Sequence, residues 1–278
     1  MGIYERRSLF SGRERPALIK PALPRRWLRD CLENDNDCSA FRSQSEGVRT
    51  TMLRLIDTKA ESVVEFEQHR LDDTPYVTLS YVWGTTQQIM LKRENLLQLQ
   101  SAGSLSDLTP QTITDAMIFT SDMGYRYLWV DVLCTIQDDD ADKMSQLQIM
   151  GDIYKHSVFT IVAAAGVNSD AGLSGVHTPR TAVQHKVQVK PASPRQAPLW
   201  LISTVMPLSG TEARVPYTHN LPWHVRGWTL QEKVLSRRVF TFTGEQLLWS
   251  CRRSQRWEET DTETELASFS CSTMMKHT

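Results

Sequence analysis

Three short apolar runs define the middle of the chain. They are Tyr76–Tyr81, Tyr127–Leu133 and Val158–Ala165, and each is nearly continuous in apolar residues. Runs of this length are typical of parallel strands that are covered by other elements on both faces. The pattern therefore predicts three buried strands.

Two amphipathic helices are predicted between these strands. The first begins at Pro110, since proline is well tolerated at the first helical position, and ends at Gly124. The second follows the acidic run Asp138–Asp140, because negative charge favours a helix N-terminus. Its apolar stripe consists of Met144, Leu147, Met150 and Tyr154. The alternation of strands and helices predicts right-handed crossovers and an α/β fold, with a parallel sheet and helices on both faces.

Weaker patterns flank this core. Arg49–Ile56 and Ser62–Gln68 predict a hairpin, and the proline-rich residues 167–222 predict a β-rich insertion. Within that insertion, Val183–Val189 and Leu199–Val205 are the strand candidates. After it, the sequence predicts a helix at 228–235 and strands at 238–242 and 246–249. The expected organisation is a flexible basic extension at 1–50, a main domain at 51–257 and a disordered tail at 258–278.

Charge and cysteine content exclude several classes of protein. Lys and Arg total 31 against 32 Asp and Glu, so the strong basic excess of a nucleic-acid binder is missing. No apolar run approaches the roughly 18 residues that span a membrane. The five cysteines form no C-x-x-C pair, so neither a metal site nor a disulfide framework is expected, and reduced thiols in the cytoplasm fit best. These cysteines are Cys31, Cys38, Cys134, Cys251 and Cys271.

Three segments in this order resemble the signature blocks of the heterokaryon incompatibility (HET) family. They are Tyr76–Gly84 (YVTLSYVWG), Thr112–Gly175 (which includes YLWVDVLCTIQDD) and Arg226–Arg238 (RGWTLQEKVLSRR). Proteins of this family are known mainly from filamentous fungi, where they trigger growth arrest or death when incompatible cells fuse. The resemblance implies an effector of self/non-self recognition and programmed cell death, with an incompatibility partner protein that the sequence does not identify.

The order of elements also resembles a Toll/interleukin-1 receptor (TIR) domain. TIR domains begin with a strand ending in Ser-Tyr, here Ser80-Tyr81, and carry an Asp-containing loop after the second strand, here from Asp131. Their third helix carries a Trp-x-x-x-Glu element, here Trp228–Glu232. This resemblance implies a flavodoxin-like parallel sheet, self-association on activation, and cleavage of NAD at the nicotinamide–ribose bond with Glu232 as the catalytic glutamate.

The candidate binding residues follow from the predicted sheet, because ligands of parallel α/β folds bind at the carboxyl ends of the strands. Ser80, Tyr81, Trp83 and Gly84 follow the first strand, and Asp131 interrupts the second. Trp83 and Trp228 offer ring faces for stacking, although core packing is the commoner use of Trp. Asp131 would contact ribose hydroxyls or, equally, loop amides. Arg226 would hold a phosphate or pair with Glu232, and Cys134 is expected to be a buried small hydrophobe.

Two hypotheses from different classes remain open at this point. In the first, the chain is an NAD glycohydrolase that uses NAD as substrate and needs no bound cofactor. In the second, it is a non-enzymatic signalling module that acts by homotypic assembly. Glu232 separates them, since the first hypothesis places it in a pocket with Ser80 and Trp228, whereas a shallow or filled pocket would favour the second. The alternative role of Glu232 is an ion pair with Arg226, Arg237 or Arg238.

Overall fold

A computed structural model describes the protein at residues 12–34, 38, 49–71, 73–180, 184–189, 199–203, 221–225, 232, 234–260 and 264–265. Its helices are α1 (Ala22–Asn34), α2 (Leu96–Leu99), α3 (Gln111–Asp122), α4 (Asp131–Cys134) and α5 (Asp140–His156). Its strands are β1 (Arg49–Asp57), β2 (Ser62–Arg70), β3 (Tyr76–Ser80), β4 (Tyr127–Trp129), β5 (Thr160–Ala163), β6 (Lys186–Val189), β7 (Leu199–Ile202), β8 (Arg238–Phe242), β9 (Leu247–Cys251), β10 (Ser254–Trp257) and β11 (Thr264–Glu265).

One large sheet organises these elements, in the order β11-β10-β9-β8-β5-β3-β4-β1-β2. The four inner strands β8, β5, β3 and β4 run parallel, whereas the strands on either side pair antiparallel. All residues of β3 and β5 are buried, as expected for strands covered on both faces. The predicted α/β fold with a parallel central sheet is therefore confirmed.

Helices α3 and α5 cover opposite faces of the parallel strands. On the α3 face, Phe119 makes edge-on ring contacts with Phe159, Phe240 and Phe242. On the α5 face, the Tyr154 ring packs on Trp129, and its hydroxyl donates to the backbone carbonyl of β3. This arrangement leaves the carboxyl ends of β3 and β4 next to α5.

The flanking hairpins also form. Strands β1 and β2 pair along nine residues each, and β1 joins the sheet beside β4. Asp57, at the end of β1, accepts hydrogen bonds from the guanidinium of Arg126 and from the backbone N–H groups of Lys59 and Ala60. Burial alone raises the pKa of Asp57, but these bonds together outweigh it and lower that pKa. In the insertion, β6 and β7 form the predicted separate hairpin.

Two boundaries of the predicted elements were wrong. The second strand ends at Trp129, and the rest of the predicted run forms the helical turn α4, in which Cys134 N–H bonds to the carbonyl of Val130. The reason is that a short buried helix and a buried strand are equally apolar, so an apolar run does not separate them. Pro110 is the N-cap residue of α3, so this helix begins at Gln111, one position after the predicted start.

The predicted apolar stripe of α5 is only half buried. Tyr154 faces the core, but Met144 and Leu147 are 58% and 50% exposed. The inward positions near the start of α5 are instead polar: Gln146 is buried and donates to the Met52 carbonyl. The apolar spacing predicted the helix correctly, but it predicted the wrong face to be buried in the first half of the helix.

The N-terminal segment is partly packed against the sheet. Helix α1 buries Trp27, Leu28 and Cys31, and Asp30 on the same helix pairs with Arg256 of β10. This part of the segment at 1–50 therefore packs against the sheet, because an amphipathic helix gains stability by burying its apolar face. Residues 1–11 and most of 35–48 lie outside the described residues, and the predicted domain boundaries stay a prediction.

Order also continues past residue 257, where the tail was expected to begin. Glu258 is buried, accepts the backbone N–H of Leu247 and pairs with Arg180 at 2.8 Å. Both side chains of that pair are almost fully buried. Beyond residue 260 only the strand β11 is described. Among the described helices, none is both long and apolar enough to cross a membrane.

Candidate functional site

A cleft of about 220 Å³ opens beside α5, at the carboxyl ends of β3 and β4. This is the position at which parallel α/β folds bind their ligands. Trp83, Asp131 and Glu232, which come from three separate candidate segments, all line it. The remaining wall comes from Trp129, the loop at Thr135 and Gln137, and the α5 residues Lys143, Gln146, Leu147 and Met150.

Glu232 is held at this cleft by the end of β3. The hydroxyl of Ser80, the last residue of that strand, donates to the Glu232 carboxylate. The indole of Trp223 in turn donates to the Ser80 oxygen, with a nitrogen–oxygen distance of 2.6 Å. Ser80 and Trp223 are both buried, whereas Glu232 is half-buried. The carboxylate thus has a buried, directional support behind it and forms part of the cleft wall.

Trp83 and Asp131 form a second polar pair on the cleft wall. The Trp83 indole nitrogen lies 3.1 and 3.3 Å from the two carboxylate oxygens of Asp131. Asp131 also accepts the backbone N–H of Val132, because it occupies the first turn of α4. The sequence left open whether Asp131 contacts a ligand or loop amides. In the structure it accepts a hydrogen bond from a backbone amide and also lies at the cleft. The hydrogen bond from Trp83 to Asp131 fixes the plane of the Trp83 ring.

Buried charged side chains at the N-terminal end of α5 fix this helix against the sheet. Arg54 of β1 donates to both Glu65 and Asp142, and Asp142 also accepts the backbone N–H of Ile136. Asp139 caps the helix by accepting two backbone N–H groups. Lys143 and Gln146, in the first half of α5, are therefore presented to the cleft by a rigid support.

Three of the expected binding residues, Ser80, Tyr81 and Gly84, do not line the cleft. Ser80 is buried and acts on the cleft only through its hydrogen bond to Glu232. Tyr81 is buried, and its hydroxyl donates to Gln88, so it belongs to the core and to the following loop. Gly84 has a φ of +68°, and a Cβ there would lie 2.5 Å from the Cβ of Asn168. A close approach of two loops thus explains this glycine. Arg226 and Trp228 lie outside the described residues.

Sequence reasoning missed Trp223, Lys143 and Gln146. The side chains of Lys143, Gln146, Leu147 and Met150 recur at three- and four-residue spacing, so a search for a polar-apolar helix face could have found this wall. Trp223 gave no such signal, because it lies in an irregular proline-rich stretch. Its partner Ser80 is distant along the chain, and only the fold joins them.

Cys134 is excluded as a nucleophile by its surroundings. Its side chain is fully buried, and that burial raises the pKa of the thiol to about 12. A thiol with so high a pKa carries almost no thiolate at neutral pH. Cys134 is the small buried hydrophobe that the sequence predicted.

Comparison with known families decides the family of the chain. The family model described as Heterokaryon incompatibility protein (HET) matches residues 76–232, which is more than half of the chain. This chain belongs to the heterokaryon incompatibility family. The matched region of this HET protein starts with β3 and ends at Glu232, so it contains both partners of the Ser80–Glu232 contact.

No match is found for this HET protein among curated proteins or among solved structures. Membership of the family implies a function of the heterokaryon-incompatibility type.

Proposed function

We propose that this HET domain is an NAD glycohydrolase whose activity depletes NAD and kills incompatible fused cells. The observation that carries the proposal is the carboxylate of Glu232, which Ser80 holds at the carboxyl end of β3 and which lines the cleft. The reaction consumes NAD and water and yields nicotinamide, ADP-ribose and a proton.

One fixed carboxylate is sufficient for this chemistry. Breaking the nicotinamide–ribose bond passes through an oxocarbenium-like state, as in glycoside hydrolysis. Nicotinamide leaves as a neutral molecule, so the leaving group needs no general acid. Glu232 would stabilise the positive charge that develops on the ribose, and its support by Ser80 means that little reorganisation is needed at that moment.

The size of the cleft indicates which part of NAD it would hold. Pockets for small molecules usually measure about 300–1,000 Å³, and this cleft measures about 220 Å³. It therefore suits the nicotinamide and its ribose, with the ring on Trp83 and the ribose between Glu232 and Asp131. Lys143 would meet the phosphates at the edge of α5.

The decisive experiment compares Glu232→Gln with the wild-type protein in an assay of nicotinamide release from NAD. We expect a loss on the order of 10²–10³ in rate, because a main electrostatic stabiliser is removed without changing its shape. Glu94→Gln, on a carboxylate that is 77% exposed and remote from Glu232 in the chain, is the matched control. A Glu232→Gln protein with wild-type melting temperature and wild-type release would refute the assignment, as would a folded wild-type protein that releases no nicotinamide.

Homotypic assembly without catalysis is the second candidate function. It is favoured by the exposed apolar side chains Met144 and Leu147, which stand beside the cleft on α5. If assembly also serves catalysis, as the TIR resemblance implies, the rate per molecule should rise with protein concentration. Light scattering and the NAD assay, run on one dilution series, separate the cases: assembly with no nicotinamide release supports the second candidate. A strictly monomeric protein with a constant rate per molecule refutes a role for assembly.

A further inference from the structure

Three cysteines come together where helix α1 packs against strand β9. Cys31 lies on α1, Cys38 shortly after it, and Cys251 at the end of β9. Their three sulfur atoms lie within 4.8 Å of one another. All three side chains are buried, and none is in a disulfide. The sequence predicted no metal site because no two of these residues have a metal-ligand spacing.

We propose that Cys31, Cys38 and Cys251 bind a thiophilic metal ion, Zn²⁺ or Cu⁺, which locks α1 onto the sheet. Three sulfur atoms at the usual metal–sulfur distance of about 2.3 Å stand about 3.8–4.0 Å apart. Sulfur atoms within 4.8 Å reach that spacing by movements of less than about 1 Å. Thiolates select these two ions over hard cations such as Mg²⁺ or Ca²⁺.

The surroundings fit a site of net negative charge. The Arg238 guanidinium lies 3.3 Å from the Cys31 sulfur, and it also donates to the carbonyl of Cys38. Three thiolates with a divalent ion carry a charge of −1, which this buried arginine offsets. Zn²⁺ would complete four-coordination with one further ligand such as water, whereas Cu⁺ is satisfied by three thiolates.

Metal binding requires thiolates, so it would displace the thiol protons of the three cysteines and release them to solvent.

The first test uses the full-length wild-type protein, reduced and kept free of oxygen. It is loaded with Zn²⁺ in one arm and Cu⁺ in the other, desalted, and its metal content measured by mass spectrometry. We expect one ion per chain in at least one arm, with a raised melting temperature, because a ligand that binds only the folded state stabilises it. The arm that retains its ion against a competing chelator identifies the metal.

Two further measurements locate the ion. Cd²⁺ titration followed by its sulfur charge-transfer absorption, and the ¹¹³Cd chemical shift, count the thiolates in the wild-type protein without any variant. Cys251→Ser and Cys38→Ser should lose the ion, while Cys134→Ala, at a buried cysteine outside the cluster, should keep it.

Three results would overturn the proposal. One is a wild-type protein with free thiols that takes up neither ion nor Cd²⁺. Another is Cd²⁺ bound by fewer than three sulfurs, or lost equally from Cys134→Ala and Cys251→Ser. The last is an intact mass that shows a disulfide inside the cluster in protein prepared without oxygen. The proposal is independent of NAD cleavage, so either can fail without the other.

Discussion

Substitution of Ser80 by alanine tests how the fold holds the candidate catalytic carboxylate. Ser80 accepts from the Trp223 indole at 2.6 Å and donates to Glu232, and it is 2% exposed. Alanine removes both bonds while changing the volume little. The buried Trp223 N–H is then left without an acceptor, whereas the half-buried Glu232 can recover a partner from water.

The expected cost is set mainly by that indole. A buried donor left unsatisfied costs about 1–3 kcal/mol, so Ser80→Ala should lower the free energy of unfolding by about 2 kcal/mol. Replacing both partners with apolar groups removes the unsatisfied donor. The double variant Ser80→Ala/Trp223→Phe should therefore be more stable than the sum of the two single variants predicts, by about 1–2 kcal/mol.

Urea unfolding of the wild type, both single variants and the double variant completes this double-mutant cycle. Trp223→Phe causes the same repacking around Val162 and Val239 with serine or alanine at position 80, so this contribution cancels. In the nicotinamide assay, Ser80→Ala should lose about tenfold, corresponding to about 1.4 kcal/mol of transition-state stabilisation. Strictly additive changes in the free energy of unfolding would refute the hydrogen bond from Trp223 to Ser80. A larger loss of rate from Ser80→Ala than from Glu232→Gln would refute the supporting role of the serine.

Three further predictions concern stability and are read from urea unfolding. Glu258→Gln should cost about 3–5 kcal/mol, because it leaves Arg180 as an unpaired buried charge; a cost below about 1 kcal/mol would show that the pair is hydrated. Gly84→Ala should lower the free energy of unfolding more than Gly124→Ala, since both glycines have a positive φ but only at Gly84 would the added Cβ contact other atoms. Equal losses for the two variants would show that this close approach does not affect stability. The lowered pKa of Asp57 contributes stability that is present above its ordinary pKa near 3.9 and lost as the pH falls through the lower folded value. In a plot of unfolding free energy against pH, Asp57→Asn should therefore reduce the loss of stability at acid pH. An unchanged loss would contradict the role given to Asp57.

The pattern along the chain was enough to predict the parallel sheet. The runs at 76–81, 127–133 and 158–165 are nearly continuous in apolar residues, and the amphipathic segments between them predict helical crossovers that cover both faces of the sheet. It also predicted that Ser80 and Trp83 would lie at the end of the first strand and Asp131 near the end of the second. Because parallel strands end at one edge of a sheet, that placement alone brought Trp83 and Asp131 towards the same cleft.

What only the tertiary structure decided depends on contacts between distant segments. Trp223 reaches Ser80 across an insertion of irregular sequence, and three cysteines without any local spacing converge where α1 crosses β9. The spacing of apolar and polar residues indicates which face of a segment is buried, but it does not identify the segment that packs against that face. Thus the sequence determined the sheet and one edge of the cleft, and long-range packing determined the support behind Glu232 and the cysteine cluster.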